Sequence, residues 1–241
     1  MKFKKYESNG NDFIVLITTS NINKKNISRL CDRHYGIGAD GVLVLKKLKN
    51  QSFSLSIFNA DGSEASMCGN GLKIIGKCLK EEYSSIPFFW VKIKNQSFQI
   101  FVKDNYVKVY IPLAKKVNDE GYPIYEIGNT HMLVETIEED KQLLLAELYP
   151  EVNVSSYVLK KSNIYNVFLR TYEVGVGFTK SCGSASICLY SLLIDQGYKG
   201  DVLHVLTAGG EFDLMRKGNR LVLTGYPKML FIGEFNDEIF N

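Results

Sequence analysis

Two cysteines carry the strongest chemical signal in this sequence. Cys68 and Cys182 are each followed by Gly and by a run with the apolar spacing of a buried helix, over 70–81 and 184–195. The first turn of a helix presents N–H groups without helical partners and a partial positive charge. That position lowers the pKa of a thiol and favours a bound carboxylate. Two such helix starts facing each other make a two-thiol site with an anion hole; the alternative is two capping cysteines without chemistry.

The other cysteines lack this context. Cys31 precedes no comparable motif, and Cys78 and Cys188 fall inside the predicted helices, where a cysteine packs as a small apolar side chain. Five Cys without a C-x-x-C pair, together with only three His, argue against a structural zinc site. A disulfide framework is not expected in a cytosolic chain of this size.

Length and composition exclude several classes of protein. The 241 residues carry a formal net charge of +3, are 45% hydrophobic and 23% charged, and suit one large domain or two smaller ones. The weak charge argues against nucleic acid as a partner. No apolar run reaches the ~18 residues of a membrane span. The amino end lacks the apolar core of a signal peptide, so we expect a cytoplasmic protein with no membrane partner.

An internal repeat organises the chain. The two cysteines lie 114 positions apart, and Gly10-Asn11-Asp12 is echoed by Gly128-Asn129-Thr130 118 positions later. Asn59 lies nine residues before the first cysteine and Glu173 nine before the second. Further helices are predicted over 26–34 and 137–148. Short alternating runs predict strands over 13–18, 41–45, 53–58, 89–93, 98–102, 107–111, 164–170, 202–207, 211–215 and 221–223. The pattern indicates two halves of one mixed α/β architecture.

The segment 36–41 satisfies G-x-G-x-x-G, the glycine pattern of dinucleotide-binding folds. That site needs a strand before the glycines and a helix after them. Here a predicted helix precedes and a predicted strand follows, so the segment is interpreted as a glycine turn and no cofactor is predicted.

Several motifs, in the same order along the chain, resemble those of the diaminopimelate epimerase family. The first half contributes Asn9-Gly10-Asn11-Asp12-Phe13, the run from Cys31 to Gly41, and the block from Phe58 to Gly71 with its Met67-Cys68-Gly69-Asn70-Gly71. The second half contributes Gly128-Asn129-Thr130-His131, the run from Tyr172 to Gly177, Thr179 and Cys182-Gly183-Ser184.

The resemblance implies an α/β (α+β) fold of two pseudo-symmetric halves. Each half would be a curved, barrel-like sheet wrapped around a central helix, with the active site in the cleft between them. The expected domains are 1–114, carrying Cys68, and 115–225, carrying Cys182, with residues 226–241 returning to the first half.

The same resemblance implies an amino-acid epimerase or racemase, an isomerase that uses neither pyridoxal phosphate nor a metal. Cys68 and Cys182 match the catalytic thiols, one removing the α-hydrogen as thiolate and the other returning a proton to the opposite face. The remaining matched positions are substrate-binding: Asn11, Asn59, Gly69, Asn70, Asn129, Asn163, Glu173, Val174, Gly183 and Ser184. Shortening of the chain before Tyr172 leaves either Asn163 or Asn166 as one of the substrate asparagines.

Departures from the family pattern concern the distal end of the substrate. Val174 stands where the family has an Arg for the distal carboxylate, Thr130 replaces a Pro, and Phe178 replaces an acidic residue. Arg170 either supplies the missing charge or is a solvated strand-edge side chain. The default reaction is L,L-diaminopimelate to meso-diaminopimelate, in lysine and cell-wall biosynthesis.

Alternatives to this reaction stay open. One is racemisation of another α-amino acid without a distal carboxylate, and another is isomerisation of a non-amino-acid substrate. A non-enzymatic binding or redox-sensing protein is the remaining alternative. The expected partner is a small amino acid, and a homodimer is left open.

Overall fold

The computed structural model describes residues 1–18, 22–49, 52–118, 121–160 and 165–236. The chain divides into two compact units. The first comprises Met1–Val109 together with the chain from Gly225 onward, and the second comprises Tyr110–Thr224. Within the described part of the chain, every helix is too short or too polar to cross a membrane.

The first unit contains two helices, α1 (Lys24–Cys31) and α2 (Gly69–Glu82). Its strands are β1 (Lys2–Ser8), β2 (Asn11–Ile17), β3 (Gly41–Lys47), β4 (Ser52–Asn59), β5 (Glu64–Ala65), β6 (Phe88–Ile93), β7 (Gln96–Lys103), β8 (Tyr106–Pro112) and β18 (Lys228–Glu234). Hydrogen bonding orders eight of them as β18-β1-β2-β3-β4-β6-β7, with β5 on β4. The pairs β2–β3 and β4–β6 are parallel, as expected of strands joined through a helix.

The second unit repeats this plan. Its helices are α3 (Glu139–Leu148) and α4 (Gly183–Asp195). Its strands are β9 (Lys115–Asn118), β10 (Ile124–Ile127), β11 (Asn129–Glu135), β12 (Asn153–Lys160), β13 (Tyr165–Glu173), β14 (Gly177–Thr179), β15 (Val202–Thr207), β16 (Gly210–Lys217) and β17 (Arg220–Gly225). They are ordered β9-β10-β11-β12-β13-β15-β16-β17, with β14 on β13 and with β11–β12 and β13–β15 parallel.

Each sheet curls around one central helix. In the first unit α2 contacts β1 and β2 as well as β7, which lie far apart in the strand order. In the second, α4 contacts β9, β10 and β11 as well as β16. Both helices are therefore enclosed: every residue of α4 from Gly183 to Leu193 is buried. The expected α+β class with curved, half-barrel sheets is confirmed.

The glycine segment after α1 is a turn, as predicted. It joins α1 to β3, and Gly38 has a φ of +80°. A Cβ on Gly36 would lie 2.0 Å from the carbonyl oxygen of Arg29, so only glycine fits this close backbone approach. The glycines thus allow a tight turn between the end of α1 and the start of β3.

Candidate active site

Cys68 is the N-cap of α2. Its backbone is extended (φ −148°, ψ 111°), and its Sγ accepts a hydrogen bond from the N–H of Gly71 at 3.2 Å. The thiol is half-buried. Gly69 and Asn70 form the first turn of α2, where backbone N–H groups project from the helix end. The geometry places a thiol and amide donors for a carboxylate at one helix end.

Asn11 and Asn59 lie at one edge of the first sheet. Asn11 opens β2 and Asn59 ends β4, and between them β3 begins at Gly41, which is opposite Asn59 in the strand register. The amide of Asn11 donates to the Asp40 carboxylate at 2.8 Å, and that of Asn59 donates to Ser63 Oγ at 3.0 Å. Neighbouring side chains thus orient both amides.

A charged network fixes the segment that carries Asn11. Asp12 pairs with the buried Lys5 ammonium at 2.6 Å and with Arg33 at 2.7 Å, and Arg33 also reaches Asp40 at 2.8 Å. Burial acts to raise the pKa of Asp12, but the hydrogen bonds from Arg33 and Lys5 outweigh it and hold that pKa well below its usual range. Asp12 therefore stays ionised and keeps the start of β2 in place.

Cys182 is the N-cap of α4, but its surroundings differ from those of Cys68. The residue is 7% exposed, and its Sγ lies 3.2 Å from Ser184 Oγ. Burial raises its pKa well above the usual thiol value, and the negative charge of Glu173 raises it further. Hydrogen bonds from Ser184 and the N–H of Ala185 act in the opposite direction. The thiol form is therefore the stable one here.

Glu173 ends β13, the position in the second unit that Asn59 holds in the first. Its Oε1 accepts a hydrogen bond from Thr179 Oγ1 at 2.7 Å, across the β13–β14 pair. A carboxylate held beside a protonated thiol suits the binding of a substrate cation.

His131 is a site residue that the sequence reasoning did not assign. It is fully buried; its Nε2 lies 2.9 Å from Ser184 Oγ and its Nδ1 lies 3.1 Å from Ser155 Oγ. Burial lowers its pKa to about 3, so the imidazole is neutral. It therefore orients the hydroxyl that contacts Cys182. The available signal was its place in Gly128-Asn129-Thr130-His131, two residues after a predicted substrate asparagine.

Asn153 was also missed, and nothing in the local sequence marks it. Its amide donates to the carbonyl of Thr130 at 3.1 Å, and its oxygen accepts from the N–H of Val174 at 2.9 Å. It thereby fastens the start of β11, where half-buried Asn129 lies, to the turn that follows Glu173.

The remaining predicted residues differ in burial and position. Gly183 and Ser184 form the buried first turn of α4, and Val174 is 47% exposed in the turn after β13. Asn163 lies outside the described residues. Asn166 lies within β13, opposite Lys160 on one side and His204 on the other.

Arg170 packs against α3, which contradicts the interpretation of it as a solvated strand-edge side chain. Its guanidinium bonds to Glu139 at 2.7 Å and to Gln142 at 2.9 Å, both on α3, and lies 5.0 Å from the Phe178 ring centre. These contacts hold it against α3 on a strand that is paired on both sides, so it is not a solvated strand-edge side chain, whereas its buried Nη2 has no hydrogen-bond partner among the described residues. The next residue, Thr171, points the other way and contacts Ser155.

The five cysteines are free thiols. Among the described residues, no group of three or more His, Cys, Asp and Glu side chains is arranged to hold a metal ion.

Solved structures with the same fold include several isomerases. A probable proline racemase from Agrobacterium radiobacter K84 superimposes with a TM-score of 0.73 at 12% identity, covering 98% of this chain and 92% of that one. A phenazine biosynthesis protein of the PhzF family from Bacillus anthracis gives a TM-score of 0.73 at 12% identity, covering 98% and 99%. At these identities the likeness supports the fold.

Sequence comparison identifies the family. The diaminopimelate epimerase family model matches residues 3–117. A diaminopimelate epimerase from Caldanaerobacter subterraneus is 30% identical, covering 97% of this chain and 99% of the relative. One from Methanocella arvoryzae is 31% identical, covering 98% and 97%. Because such relatives are matched over nearly their whole length, this chain belongs to the diaminopimelate epimerase family and is an isomerase of the amino-acid epimerase type.

Proposed function

We propose that this enzyme inverts the α-carbon of an amino acid by acid/base chemistry between two thiols, without pyridoxal phosphate. The observation that carries the proposal is the repeated placement of Cys68 and Cys182, each capping the central helix of its unit. Inversion needs a proton acceptor and a proton donor on opposite faces of the carbon. A repeated fold with one thiol per unit supplies both.

Protons and charge balance in one step of this mechanism. A thiolate takes the α-hydrogen, the electron pair stays on the substrate as a carbanion delocalised into the carboxylate, and the second thiol protonates the opposite face. The sulfurs end with their protonation states exchanged. The N–H groups of Gly69, Asn70, Gly183 and Ser184 hold the carboxylate and stabilise its developing charge. Asn11, Asn59, Asn129 and Glu173 orient the α-ammonium and the substrate backbone.

The environments assign starting roles to the two thiols. Cys182 is buried beside Glu173 and its pKa is raised, so it enters the cycle as the proton donor. Cys68, half-buried at the helix start and bonded to the N–H of Gly71, enters as the thiolate base. Such reduced thiols suit the cytoplasm, where we place the enzyme.

L,L-Diaminopimelate, converted to the meso form for lysine and cell-wall synthesis, is the first substrate to test. A second candidate class is an amino acid with an uncharged side chain. It is favoured by the apolar side chains of Val174 and Val176 in the turn after β13, which are 47% and 66% exposed, and of Phe178 in β14, which is 40% exposed. An unpaired distal carboxylate against such a surface is disfavoured.

The test is isotope exchange in deuterium oxide. Purified enzyme is incubated with L,L-diaminopimelate, with a panel of L-amino acids, and with carboxylic acids that lack the α-amino group. Chiral chromatography and mass spectrometry follow inversion and deuterium at the α-carbon. Inversion with one deuterium gained, lost in the Cys68→Ala variant, is the expected result. Exchange only in the carboxylic acids would identify a different isomerase, and no exchange in any compound would refute the proposal.

A further inference from the structure

One charged side chain is wholly buried on the helix that the first thiol caps. Lys73 lies on α2, five residues after Cys68, and has no exposed surface. Its Nζ donates a hydrogen bond to Asn9 Oδ1 at 2.5 Å. Lysine side chains in helices normally extend their ammonium groups into water, so a completely enclosed one needs a compensating role.

The surrounding backbone is shaped around this lysine. Asn9 stands in the turn between β1 and β2 with a φ of +54°, which aims its side chain back at α2. Gly225 approaches from another side: a Cβ there would lie 2.8 Å from Lys73 Cδ and 3.1 Å from Nζ. Any larger residue at 225 would therefore displace the side chain. The same turn leads directly to Asn11, one of the proposed substrate contacts.

Two titratable groups act on the Lys73 ammonium. They are Cys68, at the cap of the same helix, and Glu7, on β1. The turn adds the neutral Asn9 amide, and Gly225 adds no side chain. Burial lowers the pKa of Lys73 to about 7, whereas the charges of Cys68 and Glu7 favour its ammonium form. An electrostatic interaction is mutual, so the ammonium favours the Cys68 thiolate to the same extent.

We propose that Lys73 is a positioning residue whose buried ammonium, held by the Asn9 amide, stabilises the thiolate form of Cys68. The charge lies inside the unit, where water screens it weakly. It acts on the thiol through space, whereas Asn9 also fixes the turn that carries Asn11. Lys73 thereby couples the ionisation of one thiol to the placement of a substrate contact. Only the kinetic consequence rests on the proposed function.

The experiment measures ionisation of Cys68 directly. Wild type, Lys73→Met and Lys73→Arg are treated with iodoacetamide between pH 5 and 10, and peptide mass spectrometry follows alkylation of Cys68. We expect Lys73→Met to raise the pKa of Cys68 and to slow its alkylation at pH 7 on the order of tenfold or more. Lys73→Arg keeps the charge and should remain closer to wild type.

Lys77→Met is the matched control. Lys77 lies one turn further along α2, where its ammonium reaches Asn105 at 2.5 Å and Glu81 at 3.5 Å. Its removal should leave the titration of Cys68 unchanged. If Lys73→Met does not fold, Asn9→Gly keeps the left-handed turn and removes the amide, and it should move the titration in the same direction.

Lowered melting temperature with an unchanged Cys68 titration, in whichever variant folds, would overturn the proposal and leave Lys73 a purely structural role. A shifted titration in the Lys73 variants, together with a wild-type enzyme that exchanges the α-hydrogen of none of the tested compounds, would support the inference and refute the proposed function. In the active enzyme, the same pKa change should appear in the pH profile of kcat/KM.

Discussion

Replacing Ser184 with alanine tests whether the hydroxyl beside the second thiol matters for proton transfer. Ser184 Oγ lies 3.2 Å from Cys182 Sγ and 2.9 Å from His131 Nε2, and the residue is 5% exposed. The substitution removes the hydroxyl but keeps the backbone N–H that we assign to the substrate carboxylate. It therefore separates stabilisation of the sulfur from binding of the substrate.

The expected loss follows from the strength of that contact. A hydrogen bond to a charged group contributes about 1.5–3 kcal/mol, which corresponds to about 10- to 150-fold in an equilibrium constant. Because Ser184 acts to lower the pKa of Cys182, its loss should raise that pKa further. kcat/KM should fall by a similar factor in both reaction directions, since their ratio is fixed by the reaction equilibrium.

Ser186→Ala is the control for this experiment. Ser186 lies on the same helix and is fully buried, but its hydroxyl bonds to the carbonyls of Cys182 and Gly183 at 3.2 and 2.8 Å. Both variants lose a buried hydroxyl, whereas only Ser184→Ala loses the contact with sulfur. Rates from pH 6 to 10 and melting temperatures are measured for each. Wild-type kcat/KM and an unmoved pH profile in a folded Ser184→Ala protein would refute the reasoning.

Three further outcomes are expected. Cys68→Ala and Cys182→Ala should each abolish inversion of the α-carbon, whereas Cys188→Ala should change only the melting temperature. An inactive, folded Cys188→Ala beside an active Cys182→Ala would mean that the site is misassigned. Val174→Arg should raise kcat/KM for L,L-diaminopimelate by a factor that corresponds to about 1–3 kcal/mol of transition-state stabilisation, and it should lower kcat/KM for neutral amino acids. A lower kcat/KM for diaminopimelate in this variant would show that another residue binds the distal carboxylate. Because the pKa of Asp12 is depressed, its stabilisation is present above the unfolded pKa of about 3.9 and lost as the pH falls toward the folded value. In urea unfolding, acidification should therefore lower the free energy of unfolding of the wild type by about 2 kcal/mol more than that of Asp12→Asn.

The helices that carry the thiols could be predicted from the sequence because the apolar residues at helical spacing are the ones that the fold buries. The segments predicted at 70–81 and 184–195 form helices at Gly69–Glu82 and Gly183–Asp195. The helices predicted at 26–34 and 137–148 are observed at Lys24–Cys31 and Glu139–Leu148. The first begins early because the Asn23 side chain accepts from the N–H of Asn26, and it ends where Asp32 accepts from the N–H groups of the next turn.

The strands β1 and β12 were not predicted from the sequence, and both carry buried polar side chains. β1 contains Lys5, which is 3% exposed and pairs with Asp12. β12 contains Ser155 and Ser156, which are buried and hydrogen-bonded to His131 and Gln142. An alternation of apolar and polar residues cannot identify a strand whose polar side chains are buried against partners distant in the chain. The same limit applies to Arg170, because its partners Glu139 and Gln142 lie about thirty residues upstream.

The repeat predicts two equivalent thiols, but the mechanism that we propose needs them to differ. One must hold a proton while the other lacks it, and two identical environments would leave this choice to the substrate alone. The residue nine positions before each cysteine differs in charge between the two units. Neutral Asn59 ends β4, whereas acidic Glu173 ends β13 and disfavours ionisation of Cys182. Lys73 adds the opposite bias near Cys68, while the matching position on α4 is the apolar Ile187. Each unit wraps a sheet around one central helix capped by a cysteine, but the charges near the two cysteines differ, as the proposed mechanism requires.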